Sequence, residues 1–101
     1  MRKKIYLDAD RLKNRKDMHD YLEKAFDFPF WFGYNLDALY DCLSEVKEDT
    51  DIILDQANAT KICQDPYAYR VLLTLSDGIE ENPHLRILFY DPEDEEDEEE
   101  E

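Results

Sequence analysis

Residues 27–46 have the sequence DFPFWFGYNLDALYDCLSEV, in which a loop rich in aromatic residues leads into a helix. Pro29 and Gly33 predict the loop, and we expect Gly33 to adopt a backbone angle that other residues resist. Asn35 predicts the N-cap of a helix over about residues 36–47. The buried side of that helix is predicted to consist of Leu36, Leu39, Leu43 and Val46.

The opposite side of this helix combines carboxylates with an aromatic ring. The spacing i, i+3, i+4, i+7 places four side chains on one face: Asp37, Tyr40, Asp41 and Ser44. Like charges at i and i+4 destabilise an isolated helix by a few tenths of a kcal/mol, about 0.2–0.5. Helix stability therefore does not explain the pair of aspartates. The pattern favours a surface that binds a cationic partner, and it also fits a face that is only solvated.

The aromatic residues of the loop divide into two groups. Phe26 and Phe28 are predicted to lie in the core. A loop of this length cannot bury all of Phe30, Trp31 and Phe32, so some of them are predicted to be exposed. Exposed aromatic side chains are typical of the energetically dominant positions of protein interfaces. The alternative is that they cover an edge of the sheet.

The rest of the chain alternates predicted strands with predicted helices. Asp17 is a candidate N-cap for the first helix, and Asp65 followed by Pro66 predicts the start of the last one. The predicted elements outside 27–46 are a strand over 4–8, a helix from about 14 or 17 to 26, a strand over 51–55, a short helix over 57–63, a helix over 66–81 and a strand over 85–90.

This order, βααβααβ, predicts an α/β domain with a three-stranded parallel sheet, about four helices and right-handed crossovers. The long helix after Pro66 is predicted to bury Tyr69, Leu72, Leu73 and either Leu75 or Ile79. His19 and His84 are interpreted as ordinary surface or boundary histidines. We predict one domain over residues 1–90 and a disordered acidic tail over 91–101.

The net charge of the 101-residue chain is −15, and it is unevenly distributed. Residues 91–101 contain ten acidic residues and no basic residue, while residues 17–90 contain fifteen acidic and five basic residues. Such a field repels nucleic acid and attracts cationic partners. Charge alone is equally consistent with a role in solubility.

Several function classes lack a signature in this sequence. No signal peptide or membrane span is apparent, which predicts a cytoplasmic protein without membrane contact, with Cys42 and Cys63 as reduced thiols. The chain has two glycines, so a glycine-rich phosphate loop is not expected. We predict no cofactor, no metal site and no enzymatic activity, although Asp37 and Asp41 could in principle act as an acid–base pair.

The segment FWFGYNLDALYDCL resembles the binding segment of the barstar family, intracellular inhibitors of the bacterial ribonuclease barnase. The resemblance rests on NLDAL, a following aromatic residue and DCL, and extends weakly over residues 3–90. It implies a small α/β domain that plugs a ribonuclease active site. Asp41 would be the aspartate that enters the phosphate-binding site, and Asp37 would face another arginine of the enzyme. Trp31 would take the place of a tyrosine that packs on the catalytic histidine.

Other positions match the family segment less closely. The resemblance implies interface roles for Gly33, Asn35 and Leu36, for Tyr40 in place of a tryptophan, and, more distantly, for Asp77. Phe32 and Ser44 join this predicted surface from the loop and the helical spacing. Tyr34 stands where the family has an acidic residue, and Glu45-Val46 replace a Gly-Trp pair, which leaves the choice of partner open.

Three hypotheses follow from the sequence. The first is a monomeric inhibitor of a basic ribonuclease or nuclease toxin, in which carboxylates imitate RNA phosphates and aromatic rings imitate bases. The second is an acidic interaction module of barstar fold that binds a different basic protein. The third is an enzyme that uses the two aspartates.

Overall fold

Three parallel strands and four α-helices follow one another in the predicted order in the computed structural model, which describes residues 2–29 and 31–90. Residues 91–101, the predicted tail, and Phe30 lie outside the described residues. A short 3₁₀ turn over Ala9–Arg11 follows the first strand. The bounds are β1 Lys3–Tyr6, α1 Arg15–Phe26, α2 Leu36–Ser44, β2 Thr50–Asp55, α3 Gln56–Gln64, α4 Pro66–Glu81 and β3 Leu85–Tyr90.

The sheet has the order β1-β2-β3, so the second strand in the chain is also the central one. Both pairings are parallel, with Ile52 of β2 opposite Ile5 on one side and Ile87 on the other. Side chains alternate between the two faces of a strand. The face that carries Ile5, Ile52 and Leu54 is buried against the helices, whereas Tyr6 and Arg86 on the other face are exposed. The predicted three-stranded α/β architecture is confirmed.

The start of α1 differs from the prediction. The N-cap is Asn14, whose side-chain oxygen accepts a hydrogen bond from the Asp17 amide at 2.9 Å. Asp17 instead lies in the first turn, where a carboxylate is favoured by the helix dipole. The prediction of Asp17 as the cap was therefore wrong, because an asparagine three residues upstream supplies the same chemistry.

The end of α2 also differs from the prediction. The helix ends at Ser44 instead of residue 47. The buried side chain of Asn82, at the end of α4, donates hydrogen bonds to the carbonyls of Leu43 and Val46, each at 2.8 Å. These bonds satisfy carbonyl groups that a longer helix would have used, and they fix the chain as it turns toward β2.

The buried face of α4 is only partly the predicted one. Tyr69 and Leu73 were expected in the core, yet they are 44% and 46% exposed. The residues that are buried are Ala68, Val71, Leu75 and Gly78. A Cβ atom at Gly78 would lie 2.8 Å from Leu43 Cδ1 and 2.9 Å from Leu43 Cβ. The close approach of α2 and α4 at this glycine sets the rotation of α4 and turns Tyr69 and Leu73 outward.

Both cysteines are free, with Cys42 buried in α2 and Cys63 exposed in α3. This confirms that they are not bridged to each other. Burial raises the pKa of the Cys42 thiol, and the charges of Glu45 and Asp41 raise it further. Cys42 therefore behaves as a protonated core residue rather than as a reactive thiolate.

Candidate functional site

The loop between α1 and α2 begins with a tight reversal at Asp27. This residue ends α1 in the left-handed conformation, with φ 59°. The Phe28 amide then donates to the Glu23 carbonyl at 3.0 Å, as expected where a helix ends in that conformation. Aspartate is among the few residues other than glycine that tolerate this geometry. The reversal directs the aromatic segment back across the end of the helix.

A continuous stack of rings anchors this loop. Phe26 and Phe28 are stacked with ring centroids 5.0 Å apart, and Phe28 meets Phe32 edge-on at 4.9 Å. The imidazole of His19, in α1, lies 4.7 Å from the Phe32 ring and 3.8 Å from the Tyr34 ring, nearly parallel to both. The stack therefore runs from the core to Tyr34, which is 52% exposed.

His19 is the residue that the sequence interpretation placed wrongly. It is buried rather than at the surface, with its Nε2 atom 2.8 Å from the Phe32 carbonyl oxygen and its Nδ1 atom 3.2 Å from Asp20 Oδ1. Its spacing from Met18 and Leu22 on α1 was the available signal, because a histidine beside core positions can be buried when both ring nitrogens find partners. His19 fixes the main chain of the loop from beneath.

The exposed part of the site consists of five side chains that we call the acidic–aromatic surface: Trp31, Tyr34, Asp37, Tyr40 and Asp41. Trp31 is 53% exposed and Tyr40 is 36% exposed. The two aspartates lie on the outer face of α2 as the helical spacing predicts, while Leu39, Cys42 and Leu43 are buried on the inner face. Within residues 2–29 and 31–90, neither Asp37 nor Asp41 has an ion-pair partner.

Two predicted site residues have supporting positions instead of exposed ones. Phe32 is 2% exposed and belongs to the core, so its side chain supports the loop and does not face a partner. Leu36 is partly buried against the core. Of these two loop aromatics, Trp31 is thus exposed and Phe32 is buried.

Gly33 does not have the unusual backbone angle that we expected. Its φ is not positive, and a Cβ atom there would lie at an ordinary 3.4 Å from Ala38 Cβ. The prediction of a conformational role was wrong, because the left-handed position of this loop is occupied by Asp27. What Gly33 contributes is a bare main chain between two aromatic side chains.

Polar residues at the ends of α2 have local roles. The side chain of Asn35 accepts a hydrogen bond from the Ala38 amide at 2.7 Å, which confirms it as the N-cap. The hydroxyl of Ser44 donates to the Asp41 carbonyl at 2.7 Å, so it is engaged within its own helix. Asp77 is exposed on α4, next to the glycine that packs on α2.

No group of three or more metal-ligating side chains is found among the described residues. None of the four α-helices in the described part of the chain is long and apolar enough to cross a membrane. The chemistry available at the site is that of two unpaired carboxylates and three exposed aromatic rings.

Comparison with known proteins identifies the family. A family model described as "Barstar (barnase inhibitor)" matches residues 2–97. The chain belongs to the barstar family. The match runs from the first described strand through β3 and continues beyond Tyr90.

One similar protein carries a name that refers to ribonuclease inhibition. A Bacillus subtilis (strain 168) protein named "Putative ribonuclease inhibitor YrdF" is 45% identical over 42 residues. The matched segment spans 42% of this chain and 46% of the relative, so it covers less than half of either protein.

Proposed function

We propose that this protein inhibits a barnase-like ribonuclease by covering the enzyme's active site with the acidic–aromatic surface. The observation that supports this most strongly is the exposure of Asp37 and Asp41 on one helix face with no ion-pair partner in the described chain. Repulsion between like charges at i and i+4 opposes helix stability, and the helix dipole favours only Asp37, in the first turn. The pair is suited to cationic groups brought by a partner.

A ribonuclease active site supplies such groups. An enzyme that cleaves phosphodiesters binds its substrate through arginine, lysine and histidine side chains. A carboxylate accepts the same charge-assisted hydrogen bonds as a phosphate oxygen, and arginine can bind it through two parallel bonds. We infer that Asp41 occupies the phosphate position and that Asp37 pairs with a second cation one helical turn away.

The aromatic side chains would imitate the nucleobases of the RNA substrate. Trp31 and Tyr34 are more than half exposed and flank the N-terminal end of the helix that carries the aspartates. Aromatic rings stack on histidine and arginine side chains in the way that nucleobases do. Because the ring stack and α2 hold the surface in advance, little conformational entropy is lost when the complex forms.

A second candidate is an acidic module of barstar fold that binds another basic protein. The observation that favours it is Tyr34, which replaces an acidic residue of the family. Its ring is half exposed and is stacked on the buried imidazole of His19. One possible carboxylate contact is thereby exchanged for an aromatic one. The inhibitor and the module hypotheses make opposite predictions for ribonuclease inhibition: only the inhibitor hypothesis predicts it.

The test is a titration of this protein into barnase and into other ribonucleases of the barnase type, with cleavage of a fluorogenic RNA as the readout. The proposal predicts loss of activity at a 1:1 ratio and competition with a nucleotide bound in the active site. Glu80→Gln, an exposed acid on α4 outside the acidic–aromatic surface, is the matched control for Asp41→Asn. Full activity of every ribonuclease in excess inhibitor would refute the proposal and favour the second candidate.

A further inference from the structure

A cleft of about 500 Å³ lies beside the acidic–aromatic surface, where the N-termini of α1 and α2 meet the first turns of α4. Its walls include Lys13 and Arg15 before and in α1, Asn35 and Asp37 at α2, and Tyr67 and Arg70 in α4. Three separate elements thus contribute to one depression. The ribonuclease proposal uses only Asp37 from this group.

The charge of the cleft is opposite to that of the protein as a whole. Lys13, Arg15 and Arg70 bring three positive charges against the one carboxylate of Asp37, in a chain of net charge −15. Neither arginine has an ion-pair partner within the described residues. The Lys13 ammonium lies 3.5 Å from Asp10, which also pairs with Lys61. The two arginines therefore remain available to an anion.

Tyr67 lines the same cleft, although its hydroxyl oxygen has no accessible surface there. Its hydroxyl oxygen is buried and has no hydrogen-bond partner among the described protein atoms, the single side-chain atom of that part of the chain for which this holds. Leaving a buried hydroxyl without a partner costs free energy, so such groups normally have one. Burial raises the pKa of Tyr67, and the nearby charges of Arg15 and Arg70 oppose that rise.

The N-termini of α1 and α2 add backbone amides that donate hydrogen bonds and carry partial positive charge. The side chains of Asn14 and Asn35 each cap one amide, those of Asp17 and Ala38. The other amides of a first turn have no partner within their helix, and the helix dipole gives that end a partial positive charge. The cationic side chains and these amides meet at one cleft.

We propose that this cleft binds a phosphate-type oxoanion, as inorganic phosphate or as the phosphate group of a small molecule. Arg15 and Arg70, which have no ion-pair partner in the described chain, outnumber the carboxylate of Asp37, while Lys13 shares Asp10 with Lys61, so the cleft favours an anion. Guanidinium groups bind phosphate oxygens through paired hydrogen bonds, and the first-turn amides of α1 and α2 offer further donors. This site is distinct from the ribonuclease proposal, because its ligand is an anion and its cationic residues lie outside the acidic–aromatic surface.

The test is a titration of the isotope-labelled full chain, followed by amide NMR, with sodium phosphate, pyrophosphate or adenosine monophosphate. Sodium chloride at matched ionic strength is the reference. We expect saturable shifts at Arg15, Tyr67 and Arg70 with the phosphate compounds and not with chloride. Saturation by inorganic phosphate supports the site itself, and tighter binding of the nucleotide shows that the cleft holds a larger phosphorylated molecule.

Variants separate the cleft from general charge effects. The double variant Arg15→Gln/Arg70→Gln should weaken binding at least about tenfold, since hydrogen bonds to charged groups contribute that much each. Tyr67→Phe should leave binding unchanged, because the hydroxyl oxygen has no accessible surface in the cleft. Lys24→Gln, an exposed cation of α1 outside the cleft, should have no effect. Shifts that never saturate, or that fall equally in Lys24→Gln and the double variant, would overturn the proposal.

Discussion

His19 connects the core to the candidate binding loop through ring contacts on both sides and a hydrogen bond to the loop main chain. Its neighbours decide its role. Asp20 faces Nδ1, Glu23 Oε2 lies 3.8 Å from Nε2, and the Phe32 carbonyl accepts from Nε2 at 2.8 Å. An alanine here would leave a cavity between two rings and a buried carbonyl without its donor.

We predict that His19→Ala lowers the free energy of unfolding by about 2 kcal/mol or more, as large-to-small core substitutions do. His84→Ala is the matched control, because His84 is half exposed and its Nδ1 bonds Asp49 at 2.9 Å. That variant should cost about 1 kcal/mol or less. Urea unfolding followed by fluorescence measures both. Equal effects of the two substitutions would show that the ring stack does not stabilise the fold.

Asp51 gives a prediction about pH. Arg86, and after it Arg2, lowers the pKa of this buried carboxyl from 3.8 to about 2. A folded-state pKa below the unfolded value means that the stabilisation is fully present above about pH 4 and is lost as the pH falls toward 2.

Unfolding free energies measured from pH 2 to pH 7 test this prediction. The difference in stability between the natural protein and Asp51→Asn should be greatest above pH 4 and should shrink as the pH approaches 2. Glu48→Gln, at an exposed acid in the loop before β2 that forms no ion pair in the described chain, serves as the control and should show no comparable trend. A constant difference across this range would refute the role of the Arg86–Asp51–Arg2 cluster.

The packing of α2 on α4 depends on Gly78. A Cβ atom there would approach both Cδ1 and Cβ of Leu43 to less than 3 Å, so α4 or Leu43 must move. We predict that Gly78→Ala lowers stability by about 1 kcal/mol or more, because overpacking costs about 1–3 kcal/mol and outweighs the higher helix propensity of alanine. Thermal and urea unfolding measure the effect.

Two further variants serve as controls for this prediction. Gly33→Ala has room for its methyl group and no positive φ, so it should be neutral or should stabilise by up to about 1 kcal/mol. Leu43→Ala should cost less in the Gly78→Ala background than alone, since the contact with Cδ1 is removed while the contact with Cβ at 2.9 Å remains. If Gly78→Ala proves as harmless as Gly33→Ala, the close helix contact does not control stability.

Local signals in the sequence were sufficient to predict most elements. Asn35 and Asp65 cap their helices as expected, and Pro66 occupies the first turn of α4. Local patterns could not predict how α4 is rotated about its axis or which distant residues its side chains contact. Apolar residues occur around much of α4, and only the fit of Gly78 against Leu43 selects its inner face. Likewise, nothing near Asn82 in the sequence indicates that its side chain ends α2.

The candidate site shows the same division. The outer face of α2 could be predicted, because helical spacing alone separates Asp37, Tyr40 and Asp41 from Leu39 and Leu43. The arrangement of the loop could not be predicted. Phe32 is buried and Trp31 is exposed because Phe32 stacks on His19, a residue of α1. Contacts between distant segments decide which aromatic residues are available to a partner.

The charge of the molecule predicts how it would approach a cationic ribonuclease. Residues 91–101 add ten acids to a domain that is already acidic over residues 17–90. Exposed charges mainly affect the association rate, and salt screens them over about 8 Å at physiological ionic strength. Deleting 91–101 should therefore slow association modestly at low salt and leave dissociation nearly unchanged. Stopped-flow kinetics at two salt concentrations measures this, and faster dissociation would show that the segment contacts the enzyme.

The most direct test of the proposed function is the dissociation constant of the ribonuclease complex for Asp41→Ala, measured beside Asp37→Ala and the Glu80→Gln control. We predict that Asp41→Ala weakens binding the most, by about 2 kcal/mol or more, which is about 30-fold, mainly through faster dissociation. Its melting temperature should stay near that of the natural protein, because Asp41 is exposed and has no ion-pair partner in the described chain. A smaller loss than that of Asp37→Ala, or a large fall in melting temperature, would contradict the assignment of Asp41 to the centre of the binding surface.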